Sequence, residues 1–198
     1  AGADITEFEH ARAGERAKEY ERIHATALRA LADCPLPVIA MVEGYCLGGG
    51  LAVALACDIR LAAEDAVFAL PPARLGLPFP LDALARLLMA VTPAVAAEML
   101  FTARRYEAAW ALSRGLVNEV LPADALPERT MRLARDIAAA APLTVRHAKA
   151  AIRALAEVAS RNRRDALEEL ARACLDSEDY REGCRAFLER RRPRFRGR

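Results

Sequence analysis

The sequence predicts a mixed α/β fold, with short strands and helices wound into a core and an all-helical region after it. Three observations predict this. Short apolar runs alternate with turn signals between residues 38 and 70. A Gly48-Gly49-Gly50 step opens a wholly apolar segment, and from Asp82 onward apolar positions recur at helical spacing. The order, α/β first and helical last, places a core over residues 1–125 and a C-terminal helical region over 126–198.

Each element follows from local pattern. Residues 14–33 carry Ile23, Ala27, Leu28 and Leu31 at helical spacing, and Pro35 and Pro37 end that helix. Val38 to Val42 reads as a buried strand and Glu43-Gly44 as a turn. Leu51 to Ala56 is too short for its period to decide, but alanine and leucine favour helix. Ile59 to Ala63 and Val67 to Leu70 read as strands joined at Glu64-Asp65. Pro71 to Pro80 holds four of the eleven prolines and reads as a loop. Helices follow over 82–90, 93–101 and 106–114; Gly115 ends the last, and Leu116 to Leu121 is one more strand. Residues 124–140, 143–159 and 162–175 complete the helical tail, with Pro142 starting one helix.

Composition bounds the function. Of the 198 residues 54% are hydrophobic, enough to bury a sizeable core. The net charge of +2 is too balanced for a chain-wide nucleic-acid or membrane surface. No apolar run reaches the ~18 residues of a membrane span, and the first residues show no secretory pattern. Cysteines 34, 46, 57, 174 and 184 form no C-x-x-C pair and no zinc spacing, so we expect reduced, buried thiols in a cytoplasmic protein without a bound metal. The chain does not begin with methionine, and Ala1-Gly2-Ala3-Asp4 reads as the middle of a motif, so N-terminal strands are expected to be missing.

The glycine step is the first chemical signal. A strand leading through glycines into a helix offers backbone N–H groups that a ligand can approach closely, at a helix end that favours negative charge. There is no Gly-Lys-Ser/Thr and no G-x-G-x-x-G, so phosphate-loop and dinucleotide sites are weakly supported. Tight helix–strand packing is the other reading, and local sequence leaves both open.

Longer motifs carry a resemblance. Pro37-Val-Ile-Ala-Met-Val-Glu-Gly-Tyr-Cys-Leu-Gly-Gly-Gly50, continued by Leu51-Ala-Val-Ala-Leu-Ala-Cys-Asp-Ile-Arg60, resembles the signature of the crotonase (enoyl-CoA hydratase/isomerase) superfamily. Ala1-Gly-Ala-Asp-Ile5, Phe68-Ala-Leu-Pro71 with Arg74-Leu-Gly-Leu77, Leu100-Phe-Thr-Ala-Arg104, Gly115-Leu-Val-Asn-Glu-Val-Leu-Pro122 and Glu182-Gly-Cys-Arg-Ala-Phe-Leu-Glu-Arg-Arg191 are similar to its other blocks, in order. The resemblance implies a spiral of β-β-α units with C-terminal helices that build a homotrimer or a dimer of trimers. It implies an acyl-CoA thioester as substrate, coenzyme A entering as part of that substrate and no separate cofactor. The Ala3 and Gly49 amides would form an oxyanion hole, where one preset donor is worth ~3–4 kcal/mol. Ala1, Asp4, Ile5, Tyr45, Leu47, Gly48, Pro71 and Leu75 would line the thioester and coenzyme A site, with Arg190 on the 3′-phosphate.

Two departures limit the activity. Hydratases of this family carry glutamates at the positions held here by Ala52 and Pro72, neither of which moves a proton. General acid–base help is worth about 10²–10⁴ per group, so ordinary hydration should be nearly lost. The nominal activity implied is enoyl-CoA hydratase or isomerase; decarboxylation, C–C hydrolysis and a catalytically inert acyl-CoA-binding homologue stay open. Among substitutes, Asp82 reads mainly as a helix N-cap, Glu98 as structural and Tyr45 as packed. His10 and His24 fall on or near the first helix, and His147 on a C-terminal one. Residues 185–198 hold seven arginines and one acid, a solvated tail rather than a nucleic-acid surface, since only Phe187 and Phe195 are available to stack.

Overall fold

Parallel strands need a crossover between them, and here the first crossover is the remainder of a β-β-α unit. The computed structural model describes Gly2, residues 15–157, Arg172 and residues 175–196. Helix α1 (Glu15–Asp33) is followed by β1 (Ile39–Val42), β2 (Tyr45–Leu47) and α2 (Gly49–Ala56). The next unit is β3 (Ile59–Ala63), β4 (Val67–Ala69) and α3 (Pro72–Leu75). First strands of successive units pair in parallel, Ile39 with Ile59, and second strands do the same, Tyr45 with Val67. The chain therefore advances as a spiral between two sheets, ordered β1-β3-β6 and β2-β4-β5.

Three short elements escape local pattern. β2 and β5 (Arg105–Glu107) have three residues each, too few for a period, and exist through their pairing with β4. The helix expected over 106–114 therefore begins later, as α6 (Ala108–Ser113), because Tyr106 is drawn into antiparallel register with Phe68 and stacks on Trp110 at 3.9 Å. The proline-rich stretch is not wholly a loop. Pro72 takes the first position of α3, where its missing N–H costs nothing, and Gly76 (φ +69°) ends the turn.

α4 (Leu81–Ala90) and α5 (Pro93–Thr102) close the core around the fully buried Phe68, Leu51, Leu70, Leu87, Met99 and Leu116. β6 (Glu119–Leu121) starts later than expected, because the Asn118 side chain accepts from the Arg60 N–H at 2.9 Å before the ladder begins. α7 (Leu126–Ala138) covers β1 and β3 with Leu126 and Leu133. α8 (Pro142–Glu157) is held by cations: Lys149 Nζ donates to Asp58 Oδ2 at 2.7 Å and to Leu36 O at 2.8 Å, and Arg153 pairs with Asp33 at 2.6 Å. The helix expected over 162–175 lies almost wholly outside the described residues. α9 (Glu178–Leu188), capped by Ser177, packs on α3 without side chains between the backbones. A Cβ at Gly183 would fall 2.5 Å from Leu75 O, and one at Gly76 would fall 2.7 Å from Tyr180 N. Among the described residues no helix is long and apolar enough to cross a membrane.

Candidate active site at the glycine turn

Gly48 makes the turn from β2 into α2. Its φ of +49° and ψ of −109° are open to glycine and strained for other residues. Its N–H donates to Ala69 O at 2.9 Å, fixing the turn to β4, and its carbonyl accepts from Ala52 N at 3.0 Å. The amides of the first helical turn have no partner within the helix, and among the described residues no backbone acceptor is paired with that of Gly49. The first turn carries no acidic side chain, so the positive end of the helix dipole stands uncompensated there.

Gly2 completes the arrangement from the other side. A Cβ there would fall 2.5 Å from Leu47 O and 3.7 Å from Gly49 N, so only glycine lets this segment lie against the end of β2. Its neighbours Ala1, Ala3, Asp4 and Ile5 lie outside the described residues, as does His10. Pro71 walls the turn, its Cδ 3.7 Å from where a Cβ on Gly48 would stand. What results is a backbone donor at a helix N-terminus, in a setting that stabilises developing negative charge.

The opposite end of α2 is clamped by a group that the motif contained but local reading did not single out. The buried Arg60 guanidinium donates from Nε to Leu116 O at 2.8 Å and from Nη1 to Cys57 O at 3.0 Å. A cation on the last carbonyls complements the helix dipole and fixes the axis that aims Gly49. Burial lowers the Arg60 pKa from its usual value. The available signal was its place just after the helix in Cys57-Asp58-Ile59-Arg60.

The remaining candidates scatter. Ala52 is 1% exposed, packed with Leu28, Ala32, Ala56 and Ala83, so this face of α2 is sealed by α1 and α4. Pro72 is half-buried at the start of α3. Leu75 is buried with Tyr180 and Cys184 in the seam to α9. Tyr45 is not packed: it is 54% exposed on the edge strand, facing away from the side that buries Cys46, with the Arg105 guanidinium 5.5 Å from its ring centre. Asp82 is not an N-cap either; Pro80 holds that position, and Asp82 sits in the first turn of α4 with Arg29 Nη2 at 3.4 Å. Glu98 accepts from Tyr106 at 3.4 Å and stands 4.0 Å from Arg104. His24 stacks on Tyr20, whereas His147 is exposed. Arg190 is exposed beyond the end of α9 in a left-handed conformation (φ +53°). Cys46, Cys57 and Cys184 are buried and Cys34 is half-buried. Among the described residues no cluster of three or more metal-ligating side chains occurs.

The β-β-α spiral and the glycine turn at the start of α2 define the class of protein. The chain belongs to the enoyl-CoA hydratase/isomerase family, whose family model matches residues 1–198. It is 33% identical to the methylmalonyl-CoA decarboxylase of Escherichia coli (strain K12), over all of this chain and 76% of the relative. It is 40% identical to the carnitinyl-CoA dehydratase of Citrobacter koseri, over 84% of this chain and 65% of the relative. The crystal structure of methylmalonyl-CoA decarboxylase complexed with 2S-carboxypropyl CoA superposes with a TM-score of 0.88 at 31% identity, covering all of this chain and 76% of that one. The fold is thus the crotonase fold. The chain spans about three quarters of the decarboxylase and just under two thirds of that dehydratase.

Proposed function

We propose that this chain binds an acyl-CoA thioester, holds the enolate of its carbonyl on the Gly49 and Ala3 amides, and breaks a C–C bond by decarboxylation rather than adding water. One observation carries the reading: the donor turn is intact, while the positions that would move protons hold a sealed Ala52 and an N1 proline, Pro72. Decarboxylation fits that half-equipped site. In a thioester bearing a carboxylate on its α-carbon, the bond to the carboxylate breaks and its electron pair enters the α-carbon–carbonyl bond as CO2 leaves. Charge collects on the thioester oxygen, where a preset N–H stabilises it most. A proton from water then reaches the α-carbon, so no side-chain base is needed to begin. Similarity to a methylmalonyl-CoA decarboxylase over the whole chain supports the same reading.

Coenzyme A enters as part of the substrate, and Arg190 is proposed to meet its 3′-phosphate. A second reading, dehydration of a 3-hydroxyacyl thioester, draws on the 40% identity to a carnitinyl-CoA dehydratase. It needs a base, and Asp82, next to Ala83 of the Ala52 cluster, is the carboxylate it would require. Incubation with methylmalonyl-CoA, crotonyl-CoA and 3-hydroxybutyryl-CoA separates the two. CO2 release from the first alone supports decarboxylation; turnover of the latter pair alone refutes it.

We further propose a homotrimer or a dimer of trimers. Leu143 (78% exposed) and Ile152 (62%) lie on the outside of α8, the helix that meets its own chain through Lys149 and Arg153.

A further inference from the structure

The second sheet ends at β5, which pairs with β4 and, among the described residues, with no other strand. Backbone groups alternate sides along a strand, so the bonds of β4 fix which way those of β5 point. Val67 N donates to Gly44 O at 2.8 Å, and Ala69 O accepts from Gly48 N at 2.9 Å, so both residues turn their backbone groups toward β2. Phe68, between them, turns toward β5 and meets Tyr106. Tyr106 therefore directs its N–H and C=O at β4, and the N–H groups of Arg105 and Glu107 point out of the open edge.

The side chains at this edge carry opposite charges. Arg105 and Glu107 are exposed, on the face away from the buried Tyr106. Among the described residues Glu107 has no side-chain partner, and Arg105 has only the Tyr45 ring, whose centre is 5.5 Å from its guanidinium carbon. A short charged edge ordinarily keeps a second strand away, but against a second copy that works only where like charges meet. Here the order Arg-Tyr-Glu is its own complement. When a second copy lies antiparallel about Tyr106, Arg105 of each falls opposite Glu107 of the other. The backbone favours the same register, because these are the two residues whose amides face outward. Phe101, four residues before Arg105 and so within ~14 Å of it, is 81% exposed and leaves an apolar ring near the edge for a partner to cover.

We infer that two copies of this chain join across a two-fold axis at β5, carrying the second sheet from one copy into the next through paired Arg105 and Glu107. Such a contact uses the same patch on both copies and closes on itself. It is separate from α8, which is anchored at Leu36 and Asp58, just before strands β1 and β3 of the first sheet. Joined to the trimer proposed above, it gives a dimer of trimers; without that trimer it gives a dimer.

Light scattering of the whole chain tests this at low ionic strength, where exposed charges are least screened. The wild type should have six or two times the chain mass. Arg105→Glu alone and Glu107→Arg alone should each halve that mass, because like charges then meet at both ends of the contact. Both changes together restore opposite charges in the same register and should restore the mass. As a second readout, the amides of residues 105–107 should exchange hydrogen at least about tenfold more slowly in the wild type and the double variant than in either single one. A wild type of one or three chains would leave the edge open to a strand of another protein and overturns the inference. Single variants that keep the wild-type mass, or a double variant no better than the single ones, also overturn it. A wild type of two chains that the single changes split to one supports the inference and refutes the α8 trimer instead.

Discussion

Replacing Ala52 with glutamate puts a carboxylate where hydratases of the family carry one, and the packing says what it would meet. Ala52 is 1% exposed among Leu28, Ala32, Ala56 and Ala83, with Leu31 and Phe79 around them. Forcing extra atoms into a filled core costs about 1–3 kcal/mol. The side chains packed around this position are apolar, so the carboxyl stays neutral; holding it so at pH 7 against a reference pKa of ~4.3 costs about 3–4 kcal/mol. The combined loss, about 4–7 kcal/mol, is a large part of the 5–15 kcal/mol typical of a folded domain. The sign with pH follows from a raised folded-state pKa. Below pH ~4.3 both states are protonated and only the packing loss remains, while above it the penalty grows until the folded-state pKa is passed. Urea unfolding of Ala52→Glu and wild type at pH 5 and pH 7 should therefore show the deficit growing by about 2–3 kcal/mol between the two. A variant within ~1 kcal/mol of wild type at both pH values, with hydratase activity restored, would show that Ala52 faces an open, wet site and would refute the packing argument.

Crotonyl-CoA hydration by the wild type should run at least ~10⁴-fold below ordinary hydratase rates, since two groups worth about 10²–10⁴ each are absent; ordinary turnover, followed by loss of enoyl absorbance, would redirect attention to Asp82. Arg60→Met keeps the length but strands the Leu116 and Cys57 carbonyls, and should lower stability by about 2–4 kcal/mol in urea titration. Burial pushes the Cys46 thiol up to about 11, so iodoacetamide at pH 8 should label Cys34 first and Cys46 only on unfolding. The thiol's raised pKa contributes stability below its ordinary value, and that contribution should fade as pH climbs toward about 11. Light scattering at micromolar concentration should give three or six times the chain mass; a monomer would leave Leu143 and Ile152 without cover and contradict the proposed assembly.

Long runs with a clear period were legible in the sequence alone: α1, α4, α5, α7 and α8, and the strands at Ile39–Val42 and Ile59–Ala63. So was the glycine turn, because a positive φ and close backbone approach leave glycine almost no rival. The absence of proton-moving groups at Ala52 and Pro72 is a matter of identity and needed no coordinates. Strands β2 and β5 needed the fold, since three residues hold no period and their backbones become strands only by pairing with β4. Tertiary structure also decided the burial of Ala52, the first-turn place of Asp82, the exposure of Tyr45 and the clamp of Arg60 on the far end of α2. The reason is common to all four. Which face of a helix or strand is covered, and which carbonyls a long side chain reaches, depends on neighbours far away in sequence, whereas backbone conformation at a glycine is set by the residue itself.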